Sequence, residues 1–188
     1  MNNYYTLNIY IENIVGLLSR ITAVFTRRHI NIESLTVSET EQKGISRFTI
    51  VIKVTKDMVV KVTKQINKII EVIHTEYHEE ADLISSQLAL FKVDLSNMQR
   101  LATLEALAMQ NNARILAKSG NHIVLEKTGN RAILEAFLQS LKAFGNTEYV
   151  RSGRIAITMS GIRLSEILPQ LPDINNYPNY SMSHHNDR

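Results

Sequence analysis

The chain has 188 residues, of which 44% are hydrophobic and 21% charged, and it contains no cysteine. This is the composition of a globular protein with room for one ordinary domain or two small ones, and it excludes disulfides, thiolate metal sites and a cysteine nucleophile. The lack of cysteine fits the reducing cytoplasm, where we expect the protein, and a net charge of +3 with no long apolar run indicates neither nucleic-acid binding nor a membrane span.

The first half of the chain alternates between strand and helix patterns. Apolar and polar residues alternate over Tyr4–Ile11, which indicates a strand, and from Leu17 to about His29 the apolar period of three and four residues indicates a helix. A second strand is expected at Ile30–Val37, where the alternation slips and predicts a bulge near Glu33–Ser34.

The next three elements complete one domain. Clean alternation predicts a strand over Arg47–Val54, Asp57 can cap a second helix, and Val72–His78 is expected to be the last strand. The apolar stripe of the second helix consists of Val59, Val62, Ile66 and Ile69. The order β-α-β-β-α-β is that of the ferredoxin-like fold, one antiparallel sheet with two helices on one face.

The second half of the chain repeats this order. Its predicted elements are a strand at Gln87–Val93, a helix at Asn97–Met109, a hairpin of Ala113–Lys118 and His122–Lys127, a helix at Arg131–Phe144 and a strand at Thr147–Thr158. The inner side of the first of these helices is expected to carry Met98, Leu101, Leu104 and Ala108.

These patterns predict an α+β protein of two ferredoxin-like domains. The first domain is expected at residues 1–79, a polar linker at 80–86 and the second domain at 87–162. Residues 163–188 hold the prolines and several asparagines with little periodicity, and we expect a mobile tail there.

The loop between the first strand and the first helix has the chemistry of an anion site. The first N–H groups of a helix have no internal partners and lie at the positive end of its dipole, so a carboxylate fits there. Gly16 permits close approach, Asn13 can bind both an ammonium and a carboxylate group, and Leu17 and Leu18 could supply an apolar wall. This set suits an amino acid with an apolar side chain, although an ordinary turn into a helix has the same residues.

Asn31 is the second polar residue of interest, at the apolar start of the second strand. An asparagine in that position usually satisfies a local backbone group. The alternative is that Asn31 faces a ligand held by the first loop of a neighbouring copy, because exposed strand edges invite pairing.

Together these segments resemble the small subunit of acetolactate synthase (acetohydroxyacid synthase). The resemblance rests on Glu12-Asn13-x-x-Gly16-x-Leu18-Ser19-Arg20, on Arg28–Val37 and on Ser46–Ile50. In the second half it rests on Thr128-Gly129, Phe137-Leu138, Leu141, Phe144-Gly145 and Glu148-x-Val150-Arg151-Ser152-Gly153-Arg154-Ile155-Ala156. The similar region is about Tyr5–Ala156.

The resemblance implies an N-terminal ACT domain, an amino-acid-binding member of the ferredoxin-like fold, and a C-terminal ACT-like domain. ACT domains of this family pair as a homodimer and bind valine between them. Asn13, Gly16, Leu17 and Leu18 of one copy would line that site, and Asn31 and Ile32 of the other would close it.

The resemblance also implies a regulatory role without catalysis of its own. Such a subunit activates a separate catalytic subunit and confers feedback inhibition by valine on branched-chain amino-acid (valine, isoleucine and leucine) synthesis. Thiamine diphosphate, Mg²⁺ and FAD would belong to that catalytic partner, so we expect no cofactor, no metal and no catalytic residue in this chain.

Three departures from the family pattern fall in the C-terminal half. The charged pair that usually opens the second domain is replaced by Ser85-Ser86-Gln87, and the Arg-Gly that often follows the last strand is replaced by Ser160-Gly161. The Pro/Asn-rich tail extends beyond the usual end of the family.

Other functions have weaker signals. RNA-binding RRM domains share the same element order, but the predicted strand over Arg47–Val54 has only Phe48 as an aromatic residue. A stand-alone enzyme would need an acid, base and nucleophile set, and none is visible. His74 and His78 have the spacing of metal ligands on a helix, but their segment reads as a strand, and His184-His185 lies in the predicted tail.

Overall fold

The computed structural model describes residues 2–158 and Glu166. The chain forms two compact units, the first running to Ile84 and also containing the described residues from Ala156, the second comprising Ser85–Ile155. The tail predicted at 163–188 lies outside the described residues, apart from Glu166. In the part of the chain described, no helix is long and apolar enough to cross a membrane.

The first unit has the predicted β-α-β-β-α-β order. Its elements are β1 (Asn3–Glu12), α1 (Leu17–Thr26), β2 (Ile32–Glu39), β3 (Ile45–Val54), α2 (Lys56–Ile66) and β4 (Val72–Glu79). The strands form an antiparallel sheet in the order β2-β3-β1-β4, so β2 lies at one edge. The ferredoxin-like fold predicted for this half is confirmed.

The core of the first unit lies between the helices and one face of the sheet. Alternate residues of β1 and β3 point into it, and α1 and α2 contribute their apolar stripes; the largest fully buried side chains here are Tyr5, Phe25, Leu7, Ile9, Ile11, Ile21, Ile50, Ile52 and Ile66. Each such side chain contributes about 1.5–3 kcal/mol on burial. The predicted bulge is confirmed by a register shift between Ile32 and Ser34.

Both helices of this unit differ in detail from the predicted boundaries. Thr55, not Asp57, caps α2, because its hydroxyl accepts a hydrogen bond from the Met58 N–H at 3.4 Å and Asp57 lies inside the first turn. α1 ends at Thr26 because the following turn brings His29 to a φ of 53°, which a continuing helix does not permit.

The segment predicted as the linker, residues 80–86, has regular secondary structure, and the boundary between the two units falls within it, after Ile84. Glu80–Asp82 forms one 3₁₀ turn, capped by reciprocal hydrogen bonds between Glu79 and Asp82, and β5 (Leu83–Leu95) follows at once. The polar residues that indicated a linker include Ser85 and Ser86, which belong to a strand.

The second unit repeats the order with its own sheet. After β5 come α3 (Leu101–Gln110), β6 (Arg114–Ser119), β7 (His122–Gly129), α4 (Arg131–Leu141) and β8 (Gly145–Arg151). The last strand, β9 (Ile155–Thr158), follows them in the chain, and its residues from Ala156 are counted with the first unit. The sheet order is β6-β7-β5-β8, and β9 also pairs with β5. Its core contains Phe91, which packs edge-on against Phe137 and stacks on Tyr149.

Two predictions for this half are wrong in detail. Met98 lies in a 3₁₀ turn before α3 and is exposed, so it is not on the inner side of that helix. The single strand predicted over Thr147–Thr158 is divided into β8 and β9. The Leu88 N–H donates to the Ser152 hydroxyl at 3.0 Å instead of to a backbone carbonyl, which ends the β8 ladder.

The start of β8 requires a glycine. Gly145 has a φ of 155°, and a Cβ on it would lie 1.8 Å from the carbonyl oxygen of Asp94 on the neighbouring strand. No other residue type fits that close approach.

Candidate functional site

The loop that enters α1 leaves the start of the helix open. Gly16 occupies the N-cap with a left-handed backbone (φ 87°, ψ −9°), no side chain caps the helix, and no acidic residue lies in its first turn. Nothing lies within 4 Å of a Cβ built on Gly16. The space beside the Gly16 N-cap is therefore open, and it lies at the positive end of the helix dipole, which favours an anion.

Backbone hydrogen bonds hold this loop in position. The Glu12 N–H donates to the Glu71 carbonyl at 3.0 Å, and the Asn13 N–H donates to the Gly44 carbonyl at 2.8 Å. The Ile14 N–H turns back to the Glu12 carbonyl at 2.9 Å. The side chain of Asn13 is exposed beside the start of α1, where it can reach a ligand.

The two leucines of the predicted site have different environments. Leu17 is only 2% exposed and packs in the core, so its side chain cannot form the apolar wall that we predicted; it can offer a ligand only its backbone N–H. Leu18 is 45% exposed and is free to contact an apolar ligand side chain. The fully exposed Val15 lies at the tip of the same loop and was not among the predicted residues.

An ion pair lies beside the loop. Arg20, in the first turn of α1, donates a hydrogen bond to the carboxylate of Glu71, and this bond lowers the pKa of Glu71. Burial raises the pKa of Glu12, and the neighbouring charge of Glu71 raises it further. The sequence could not indicate this pair, because Arg20 and Glu71 are 51 positions apart and meet only in the folded domain.

Asn31 and Ile32 lie at the start of the edge strand β2. The Asn31 side chain is exposed, and its amide donates to the Glu33 carboxylate at 3.1 Å. Ile32 is half-buried against the core. The ten residues of α1, about 15 Å long, lie between this pair and the loop that precedes the helix, so a single copy does not bring the six predicted residues into one site.

The other sequence candidates have structural roles. Glu76 lies between His74 and His78 on β4; its carboxylate is in ion-pair contact with His78 Nε2 at 3.1 Å and accepts a hydrogen bond from Asn8 Nδ2 at 3.2 Å. Burial raises the pKa of Glu76, but its contacts with His78 and Asn8 and the nearby His78 and His74 together lower it by more. Within the described residues no three His, Cys, Asp or Glu side chains could hold a metal ion, and His184-His185 lies outside them.

The aromatic residue that an RNA-binding sheet would need is buried. Phe48, on β3, is 3% exposed and points into the core beneath the helices. It cannot stack on a nucleotide from the other face of the sheet, as an RRM aromatic residue does.

Comparison with known proteins agrees with the two-unit architecture. Residues 7–74 match the model of the "AHAS small subunit-like ACT domain", and residues 86–160 match that of the "Small subunit of acetolactate synthase". The acetolactate synthase small subunit of Mycolicibacterium smegmatis is 37% identical over 154 residues, which cover 82% of this chain and 90% of that protein.

The chain belongs to the acetolactate synthase small subunit family.

Further members of this family show the same extent of similarity. A probable acetolactate synthase small subunit of Archaeoglobus fulgidus is 35% identical over 153 residues, covering 81% of this chain and 95% of that one. The crystal structure of the acetolactate synthase small subunit of Thermotoga maritima superimposes with a TM-score of 0.76 at 25% identity, covering 85% of this chain and 99% of that chain. As a small subunit, the chain implies a catalytic large subunit as its partner.

The match to the acetolactate synthase small subunit family includes all six predicted site residues. The ACT-domain match at residues 7–74 contains the loop before α1 and the start of β2. The resemblance recognised from the sequence motifs is thus confirmed, together with the ACT-type fold.

Proposed function

We propose that this chain is the regulatory subunit of acetolactate synthase, which activates the catalytic subunit and confers feedback inhibition by valine on branched-chain amino-acid synthesis. In this proposal valine binds between the ACT domains of a homodimer. Asn13, Gly16, Leu17 and Leu18 come from one copy, and Asn31 and Ile32 come from the other.

The observation that carries the proposal is the open start of α1. Its N-cap is Gly16, without a side chain, and the first turn has no acid that could occupy the positive end of the helix. A ligand carboxylate would accept hydrogen bonds from the N–H groups of that turn. The ligand ammonium group would reach the Asn13 side-chain oxygen, and its apolar side chain would contact Leu18.

The second half of the site is supported by the position of β2. This strand lies at the edge of the sheet formed by the described residues, and such an edge can pair with a strand of another copy. Asn31, at its start, is exposed and would face the loop of a second copy when two such edges pair. The separation of the two residue groups within one copy is then the reason that a dimer is needed.

Inhibition by valine follows from linkage. A ligand lowers activity only when it binds the less active arrangement of the complex more tightly than the active one. In this proposal thiamine diphosphate, Mg²⁺ and FAD are held by the catalytic subunit, which carries out the chemistry. The present chain acts in the cytoplasm by binding valine and changing the arrangement of the paired ACT domains.

Complementation between two variants that are each defective in valine binding tests the shared site. Gly16→Asp disrupts the part of the site formed by the loop before α1, and Asn31→Ala disrupts the part formed by the start of β2. Each variant alone forms homodimers in which both sites are defective. A mixed dimer has one site with both defects and one with the intact loop of the Asn31→Ala copy and the intact Asn31 of the Gly16→Asp copy.

We expect neither variant alone to bind millimolar valine by calorimetry. An equal, co-refolded mixture should bind about a quarter as much as the wild type, because half of its dimers are mixed and each mixed dimer has one intact site of two. Reconstitution with the catalytic subunit should restore valine inhibition in the same mixture. If the mixture still does not bind valine while each variant remains folded and dimeric, the proposal of a shared site is wrong. If the wild type neither binds valine nor activates the catalytic subunit, the proposed function is wrong.

A further inference from the structure

The charges of the first unit are distributed unevenly. Residues 13–32, which include α1, and residues 58–70, which include most of α2, contain six lysines and arginines and no aspartate or glutamate. These residues are Arg20, Arg27, Arg28, Lys61, Lys64 and Lys68. The whole chain has a net charge of only +3, so the helical side of this unit is basic while the rest of the chain is acidic on balance. Such a one-signed surface attracts a partner of opposite charge.

Part of this basic surface forms a groove between α1 and α2. It has a volume of about 360 Å³ and an apolar floor of Ala23, Val24 and Ile69. Arg20, Arg27 and Lys68 line it together with the polar side chains of Ser19 and Gln65, and no acidic residue contributes to its lining.

The shape of the groove is fixed by contacts between the two helices. The Arg28 Nε donates to the Gln65 side-chain oxygen at 2.9 Å, which ties the end of α1 to the last full turn of α2. Arg20 is tied to Glu71, beyond the end of α2. The groove therefore lies between two elements held at both of its ends, and it does not depend on the second unit.

We propose that the groove between α1 and α2 binds an acidic segment of the catalytic subunit, with an aliphatic side chain on the floor and carboxylates beside Arg27 and Lys68. The proposal rests on the proposed function, which requires such a partner. The volume is near the lower end of ligand-sized sites, about 300–1,000 Å³, so the groove takes a short segment and not a whole domain.

The charge pattern also decides between possible occupants. A second copy of this chain would bring the same basic surface, and like charges in contact oppose association. RNA would be attracted by charge, but it would need aromatic residues for stacking, and the described lining of the groove contains none. An acidic peptide segment satisfies both the charged rim and the apolar floor.

The position of the groove connects the partner to the effector. Ser19 and Arg20 belong to the groove and also to the first turn of α1, where the valine carboxylate is proposed to bind. A ligand that shifts or stiffens this turn changes the groove directly. The same turn would thus sense valine on one side and hold the catalytic subunit on the other.

Charge reversal of the groove, compared with charge reversal elsewhere on α2, tests the proposal. The groove variant is Arg27→Glu with Lys68→Glu. The matched control is Lys61→Glu with Lys64→Glu, because both lysines are exposed, lie outside the groove and give the same change in net charge. Each full-length variant is titrated against the purified catalytic subunit, with acetolactate formation as the readout, at low and at moderate salt.

We expect the groove variant to need at least tenfold more protein for half-maximal activation and the control to need less than threefold more. The affinity of the wild type should fall with added salt more steeply than that of the groove variant. Calorimetry should show valine binding within twofold of the wild type for both variants, which establishes that the ACT domain is intact.

Equal losses in both variants, or full activation by the groove variant, would overturn the proposal while leaving the regulatory function standing. The proposal would also be overturned if the wild type bound an RNA oligonucleotide and the groove variant lost that binding without any change in activation. A wild-type chain that does not activate the catalytic subunit would instead overturn the proposed function, and the groove's role with it.

Discussion

The guanidinium of Arg20 donates a hydrogen bond to the carboxylate of Glu71, joining the first turn of α1 to the residue before β4. The two side chains are 51% and 25% exposed, so the pair adds at most about 1 kcal/mol to stability. The pair has a larger effect on the electrostatic potential at the start of α1. With Arg20 in place, the negative charge of Glu71 is balanced and does not oppose an anion bound there.

Removing this balance should weaken ligand binding. We expect Arg20→Met to reduce valine affinity roughly three- to tenfold, or about 1 kcal/mol, because Glu71 then repels the ligand carboxylate. Glu71→Gln alone should change the affinity less than twofold, and the double variant should recover most of the loss. Calorimetry of the regulatory subunit without its partner measures all three. A double variant as weak as Arg20→Met would show that Arg20 binds the ligand itself.

Two substitutions at Gly16 should distinguish the effect of a negative charge at the N-cap from the effect of side-chain size on valine inhibition. Gly16→Asp places a carboxylate at the N-cap, where it can accept the N–H groups meant for the ligand. We expect valine inhibition to be lost while activation of the catalytic subunit is retained. Gly16→Asn is the control, because asparagine has nearly the same size and also tolerates the left-handed backbone at φ 87° but carries no charge. Inhibition assays in which both variants behave alike would exclude the electrostatic explanation.

The carboxylates beside the loop predict opposite effects of pH on stability. The hydrogen bond from Arg20 lowers the folded pKa of Glu71 below its unfolded value of about 4.5. Its contribution is therefore present above that pH and is lost as the pH falls through the folded pKa. Urea unfolding should show Glu71→Gln to be less stable than the wild type at pH 7 by a few tenths of a kcal/mol. The difference should disappear in acid.

The contribution of Glu12 to stability depends on pH in the opposite direction. Burial, and secondarily the charge of Glu71, raise its folded pKa, so the folded chain gains stability as the pH falls through that raised pKa toward the unfolded value. We expect Glu12→Gln to be slightly more stable than the wild type at pH 7, again by a few tenths of a kcal/mol, with no difference in acid. A Glu12→Gln variant that is less stable at pH 7 would mean that the carboxylate is held by a favourable contact.

Gly145→Ala should be among the most damaging single substitutions in the second unit. Its Cβ would meet the Asp94 carbonyl at 1.8 Å, so either β5 or β8 must shift. We expect a loss of about 2–4 kcal/mol, seen as a lower midpoint of thermal or urea unfolding. Gly120→Ala is the control, since nothing lies within 4 Å of the added atom and only the backbone conformation is strained. Losses of equal size would assign the effect at Gly145 to the backbone alone.

The sequence predicted well those strands whose apolar alternation is set by burial of one face of the sheet. In β3, Phe48, Ile50, Ile52 and Val54 are all buried, as their alternation indicated, and the slip in β2 marked a true bulge. Burial forces such patterns on the sequence because a shift of one residue would turn every apolar side chain to the wrong face.

The predictions that failed depend on contacts between distant residues or on local hydrogen bonds. The division of the last predicted strand follows from the hydrogen bond between Ser152 and Leu88, which are 64 positions apart. No local sequence pattern indicates this hydrogen bond. Leu17 and Leu18 looked equivalent in the sequence, but the first turn of α1 points Leu17 into the core and leaves Leu18 exposed. Which of the two side chains is exposed follows from the direction of the helix, not from residue type.

The bare glycine at the start of α1 leaves that helix without the side-chain cap that a serine, threonine or aspartate would provide, at a cost of a few tenths of a kcal/mol. An anion from solution that binds there supplies the missing cap, and it stabilises the folded chain in proportion to the logarithm of its concentration once the site is filled. The melting temperature of the protein then serves as a gauge of the metabolite, and candidate effectors can be ranked by heating the protein with each of them, without any catalytic assay.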